Sequence, residues 1–166
     1  MQSVLSTGLN LASNGSTTSF AARGFDPGWF SPSHLPTLER VNQPACPFCN
    51  LPQERVLLET PTTLAFFDGH PVTKGHTLVI PKRQVASIFE LPLEELAALW
   101  TQVGTVRNLL AEKYNADAFN VGVNDGVAAG QTVPHAHIHV IPRHQGDAAD
   151  PRGGIRWIIP EKAKYW

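Results

Sequence analysis

The sequence predicts an α+β fold, a mainly antiparallel sheet of about five strands packed with one long helix and a short one. Three observations carry this. Short runs rich in β-branched and aromatic residues follow one another closely between Val56 and Pro81. One long stretch of helical periodicity comes next, and more strand-like runs follow it. The first strands are joined by connections too short for crossovers, so they pair antiparallel.

Val56-Leu57-Leu58-Glu59 reads as the first strand. Leu64-Ala65-Phe66-Phe67 reads as the second and ends at Asp68-Gly69, a turn pair. Thr77-Leu78-Val79-Ile80 is the third, stopped by Pro81. Pro92 suits a first helical turn, and Glu94 and Glu95 complement the positive end of the helix dipole. Leu96, Leu99, Trp100, Val103, Val106 and Leu110 then recur at helical spacing, which marks a face packed on the sheet. Asn115 is the expected C-terminal stop. Phe119 to Val123 reads as the fourth strand. His135 to Ile141 reads as the fifth, ended by Pro142, and Ile155 to Ile159 as an extension near the C-terminus.

The 166 residues allow one domain with some length to spare, and 42% hydrophobic against 16% charged residues suits a soluble globular core. Lys and Arg total 13 and Asp and Glu 14, so a net charge of -1 gives no general attraction for nucleic acid or an anionic membrane. Any anion must be held by a local site. No run approaches the roughly 18 apolar residues of a membrane span. Residues 1–40 are set apart by their Ser, Thr, Asn and Gly and by the absence of any acid before Asp26. They read as a flexible tail, or less readily as an organelle transit segment, ahead of a domain at 41–166. Cys46 and Cys49 form a C-x-x-C pair, which reads as a metal or redox motif in a reducing, cytoplasmic setting.

The most informative stretch runs from Gly130 to Arg143. Side chains alternate along a strand, so His135, His137 and His139 share one face and Ala136, Ile138 and Val140 share the other, buried one. Successive histidines then sit roughly 6.5–7 Å apart. Three imidazoles on a rigid strand form a site of fixed geometry. That arrangement serves nucleophilic catalysis by one imidazole assisted by its neighbours, or metal ligation. No carboxylate interleaves with them, and a hard phosphate-processing metal wants oxygen ligands.

Gly130 to Arg143 resembles the signature of the histidine-triad (HIT) family, His-x-His-x-His followed by apolar residues. Phe67 to Lys82 resembles the family's strand pair, and Asn120 to Gly126 another of its segments. Gly153 to Pro160 resembles the ending of bacterial-type members related to diadenosine polyphosphate hydrolases. The likeness extends from about Cys46 to Trp166 and implies a HIT-like fold and a homodimer. It implies that His137 is the nucleophile, that His139 contacts the phosphate, and that His135 and His76 orient the constellation. Asn124, Gln131 and Thr132 would hold the phosphates, and Asp68 falls at the ribose-binding position. A carboxylate there suits two hydroxyl donors. A protonated His139, the Gln131 amide and the Thr132 hydroxyl could all donate to phosphate oxygens.

The expected activity is therefore cleavage of a nucleotide α-phosphate bond, in a dinucleoside polyphosphate or a nucleoside phosphoramidate, through a covalent nucleotidyl-histidine. The substrate is a purine nucleotide and no cofactor is needed for catalysis. The alternatives are a metal-dependent hydrolase built on the three histidines and a non-catalytic nucleotide-binding module. The resemblance also implies a structural zinc at Cys46, Cys49 and His135. Related proteins supply a further histidine where this chain has Gln84, a poor zinc ligand beside thiolates. Water or His34 would have to complete the site.

Overall fold

The structure, a computed structural model, describes residues 46–166. The expectations for the tail at 1–40, His34 included, lie outside the described residues. Five strands form one sheet: β1 (Val56–Glu59), β2 (Thr63–Phe67), β3 (Thr77–Pro81), β4 (Ala118–Val123) and β5 (Ile138–Arg143). Their order is β1-β2-β3-β5-β4, and every neighbouring pair is antiparallel. The long helix α1 (Leu93–Tyr114) joins β3 to β4, and a single-turn helix α2 (Pro160–Ala163) lies near the C-terminus.

Helix α1 begins one residue after Pro92, which tolerates the position because it has no N–H to leave unpaired. It ends where Asn115 turns left-handed at φ 51° and ψ 47°, a conformation Asn adopts more readily than most residues. Leu99, Val103, Val106 and Leu110 are buried against Ala65, Val79, Ile138 and Val140 of the sheet. Each buried Leu or Val contributes about 1.5–3 kcal/mol relative to exposure. Trp100 shares the helical periodicity but is about half exposed, at the margin of this face.

Two boundaries differ from expectation. The β5 ladder starts at Ile138 rather than His135, because Pro134 and a tight turn from His135 N–H to the Val133 carbonyl hold the chain off the sheet. It also runs through Pro142 to Arg143. Pairing with β3 ends at Val140, so Pro142 has a partner only on the β4 side and its missing N–H breaks no ladder bond to β3. Pro81 likewise ends β3 beyond the stretch that pairs with β5. The extension expected at Ile155–Ile159 is instead a 3-10 turn at Gly154–Ile158, entered through Gly153 at φ 87°. Gly75 is required between β2 and β3: its φ is 88°, and an added Cβ would lie 2.6 Å from the Tyr114 ring. No helix among the described residues is long and apolar enough to cross a membrane.

Candidate active site

Among the described residues, one face of the sheet packs on α1 and the other carries His139. Cross-strand register lines up Phe66, Leu78, His139 and Gly122 in a row on the second face. Phe48 and Leu51, on the segment before β1, cover the Phe66 end of it. Ala136, Ile138 and Val140 are all buried, as the alternation requires. His135 and His137 are nevertheless not ladder residues. They reach the same face from the turn that leads into β5.

A cavity of about 490 Å³ opens on this face, with Phe48, Asp68, Thr132, His137 and His139 in its walls. His137 and His139 meet edge to face with ring centroids 5.0 Å apart. His137 Nδ1 lies 2.8 Å from the His135 carbonyl oxygen. A carbonyl can only accept, so Nδ1 carries the proton and Nε2 keeps its lone pair. The Phe48 and His137 rings meet edge to face with centroids 5.4 Å apart.

His139 Nδ1 is 2.9 Å from His76 Nε2, and His76 Nδ1 is 3.4 Å from Asp68 Oδ2 and 3.4 Å from the Val72 N–H. The other ring nitrogen of His139, Nε2, is buried without a hydrogen-bond partner among the described residues. Burial is the main cause that pushes the His139 pKa down to about 4, helped by the neighbouring His137 and His76 and opposed by Asp68. His139 is therefore neutral near pH 7, not protonated as the sequence reading had it. Burial likewise lowers His76, against the pull of Asp68.

The predicted phosphate-binding residues divide. Thr132 lines the cavity directly, whereas Asn124 and Gln131 do not. The Gln131 amide donates to the Ala86 carbonyl at 2.8 Å and accepts from the Gly126 N–H at 2.8 Å, so it braces the lead-in loop. Asn124 directly follows Val123, the last ladder residue of β4, which pairs with Ile138. Asp68 stands at the end of β2, its Oδ1 accepting from the His70 N–H at 2.8 Å, and keeps one carboxylate edge toward His76. Sequence reasoning missed Phe48 and Arg55 as cavity walls. Phe48 was hidden inside the C-x-x-C pair, and no periodicity signals Arg55.

Cys46 Sγ and Cys49 Sγ lie 3.3 Å and 3.7 Å from His135 Nδ1. The opposite nitrogen, His135 Nε2, lies 2.8 Å from the Pro81 carbonyl and must donate to it. The lone pair of His135 therefore faces the two sulfurs, the arrangement a metal-bound imidazole needs. The three donor atoms lie within 4.8 Å of one another, and the set fits zinc. Gln84 Oε1 is 3.5 Å from Cys49 Sγ, so the expected histidine position does border the cluster but brings a neutral carbonyl. A second group of possible ligands is Asp68, His76 and His139. Each group contains a single triad histidine, so the three imidazoles do not converge on one point as a metal site on the triad would require.

Residues 52–146 match the HIT domain, more than half of the chain. The chain belongs to the HIT family. It is 42% identical over 96 residues to a bis(5'-nucleosyl)-tetraphosphatase (asymmetrical) of Schizosaccharomyces pombe, covering 58% of this chain and 53% of that protein. It is 38% identical over 95 residues to a bis(5'-adenosyl)-triphosphatase of Dictyostelium discoideum, covering 57% of this chain and 64% of that one. The chain thus spans about half to two-thirds of the length of these curated relatives. A zinc-bound histidine triad family protein from Mycobacterium smegmatis superposes with a TM-score of 0.59 at 36% identity, covering 64% of this chain and 80% of that one.

Proposed function

We propose that the protein is a HIT-family nucleotide hydrolase that cleaves a bond at the α-phosphate of a purine nucleotide, with a dinucleoside polyphosphate or nucleoside phosphoramidate as substrate. The observation that carries this is one pair of nitrogens in one cavity. His137 Nε2 is a free lone pair, its tautomer fixed by the His135 carbonyl, and the ring beside it, His139, offers a buried Nε2 with no partner. An unpaired buried polar atom costs roughly 1–3 kcal/mol, which a phosphate oxygen at that position would relieve. The names of the relatives, a tetraphosphatase and a triphosphatase of dinucleosides, point to the same bond.

The chemistry follows from the tautomers. With the Val72 N–H donating to His76 Nδ1, His76 Nε2–H donates to His139 Nδ1, and neutral His139 presents Nε2–H to the phosphate. His137 Nε2 attacks the α-phosphorus, the P–O or P–N bond to the leaving group breaks, and its electron pair leaves with that group. Water then attacks the phosphoramidate, the P–N bond to His137 breaks, and a nucleoside monophosphate departs. Thr132 adds a hydroxyl donor at the phosphate end, and Asp68 accepts from the ribose hydroxyls. The zinc set lies on the far side of His135 and plays no part in these steps. When bound, zinc would cross-link the segment before β1 to the turn before β5. The active form in this reading is a homodimer, with the HIT domain at residues 41–166.

A panel of adenosine and guanosine polyphosphates and phosphoramidates, with product analysis, tests the reading. The expected product is the nucleoside monophosphate in every productive case, with turnover surviving a chelator. Tight nucleotide binding without any turnover would favour a non-catalytic binding module instead.

A further inference from the structure

We infer that Arg55 reads the base, and that it selects a 6-oxopurine, guanine or hypoxanthine, over adenine. This rests on the nucleotide reading above and extends it to the far end of the same cavity. The sheet order sets the polarity of the ligand. His139 lies on β5, Asp68 follows β2, and Arg55 immediately precedes β1, so β5-β3-β2-β1 runs from phosphate through ribose to base. The guanidinium itself reaches over β2, at Phe66 and Phe67, two strand steps of roughly 4.8 Å each from His139 on β5, which sets it beyond hydrogen-bond reach of a phosphate held there.

Among the described residues that line the cavity, Arg55 is the one Lys or Arg. Its guanidinium carbon stands 5.8 Å from the centroid of the Phe66 ring, and its Nη2 makes one long contact of 3.5 Å to the Phe67 carbonyl. Gly69 lies beside it, where a Cβ would come into ordinary contact at 3.7 Å from Nη2. No carboxylate pairs with Arg55 among the described residues. A guanidinium has five donors and no acceptor, so several donors remain for whatever fills the aromatic recess of Phe48 and Phe66. Guanine and hypoxanthine present two acceptors side by side, O6 and N7. Adenine presents N7 beside an amino donor, which opposes a donor-only fork.

Calorimetric titration of the full chain with GMP, IMP and AMP tests this, with Arg55→Ala and Arg55→Lys as variants. GMP and IMP should bind wild type about tenfold more tightly than AMP, and Arg55→Ala should erase that preference while AMP affinity stays within about twofold. Arg55→Lys, a point charge rather than a fork, should keep part of the preference. IMP lacks the 2-amino group, so its tracking of GMP ties the preference to O6. Equal wild-type affinities, or an equal loss of all three nucleotides in Arg55→Ala, would overturn the assignment. Failure of wild type to bind any of the three would instead overturn the nucleotide reading on which it rests.

Discussion

The Nδ1 of His137 lies 2.8 Å from the carbonyl oxygen of His135, and the ring of that same His135 turns its own Nδ1 toward Cys46 and Cys49. One residue thus fixes the tautomer of the proposed nucleophile with its backbone and faces the thiol pair with its side chain. The first prediction concerns the nucleophile. A rapid quench at alkaline pH, where a phosphoramidate survives, should trap protein heavier by one AMP unit after mixing with a diadenosine polyphosphate. The adduct should map to His137. His137→Ala should lose adduct and turnover by roughly a thousandfold or more, while His139→Ala forms the adduct more slowly. An adduct on His135 or His139 would move the nucleophile.

Asp68 tests the ribose subsite. Its carboxylate sits at the end of β2, one oxygen tied to the His70 N–H and the other 3.4 Å from His76 Nδ1, and the residue lines the cavity. Asp68→Ala should weaken ribonucleotide binding by about 2 kcal/mol, roughly thirtyfold, the size of hydrogen bonds to a charged acceptor. Binding of 2′,3′-dideoxyribonucleotides should change far less. Equal losses by calorimetry would remove Asp68 from the ribose site and leave it as a partner of His76.

Much of this was legible in the sequence because it obeyed local rules. The 3.6-residue period from Leu96 to Leu110, the Asn115 stop and the short apolar runs each follow from sterics within one element. The alternation around His139 gave the buried face correctly, since Ile138 and Val140 are fully buried. The start of β5 was not legible. Pro134 and the turn to the Val133 carbonyl hold His135 off the ladder, and its ring is then fixed by the Pro81 carbonyl, 54 residues away, a contact that no local pattern encodes. Arg55 was invisible for the same reason: it enters the cavity through the pairing of β1 with β2. The neutrality of His139 is a product of burial and of the neighbouring His137 and His76, which the strand pattern alone could not weigh.

The cysteine cluster predicts weak metal retention. Three strong donors converge, but the fourth neighbour is the Gln84 carbonyl oxygen beside Cys49. An amide oxygen is a poorer zinc ligand than imidazole. The purified protein should hold less than one firmly bound zinc per chain after mild dialysis, by elemental analysis. Gln84→His should raise zinc affinity by roughly tenfold or more in competition with a chromophoric chelator. Stoichiometric zinc in wild type, lost in Cys46→Ala, would show that the site is complete without a histidine at 84.

The last prediction is a pH dependence of stability, and its sign follows from burial. His139 titrates at about 4 in the folded chain against a usual 6.5, and His76 and His135 are lowered in the same direction, all chiefly by burial. Between those values the unfolded chain binds protons that the folded chain refuses. The stabilisation is therefore fully present above about pH 6.5 and is lost as the pH falls toward about 4. Carboxylates act in a lower window: Asp147, held down to about 2 chiefly by its hydrogen bonds with Arg143, is lost only below that range. Urea unfolding midpoints measured from about pH 8 to about pH 4.5 should fall steadily through the histidine window. His139→Gln keeps a polar group of similar reach but cannot take up a proton, so its midpoint should start lower and fall less steeply. An unchanged slope in His139→Gln would show that His139 is not the group that resists protonation. A stability that rises as the pH falls through this window would contradict the lowered pKa of all three histidines.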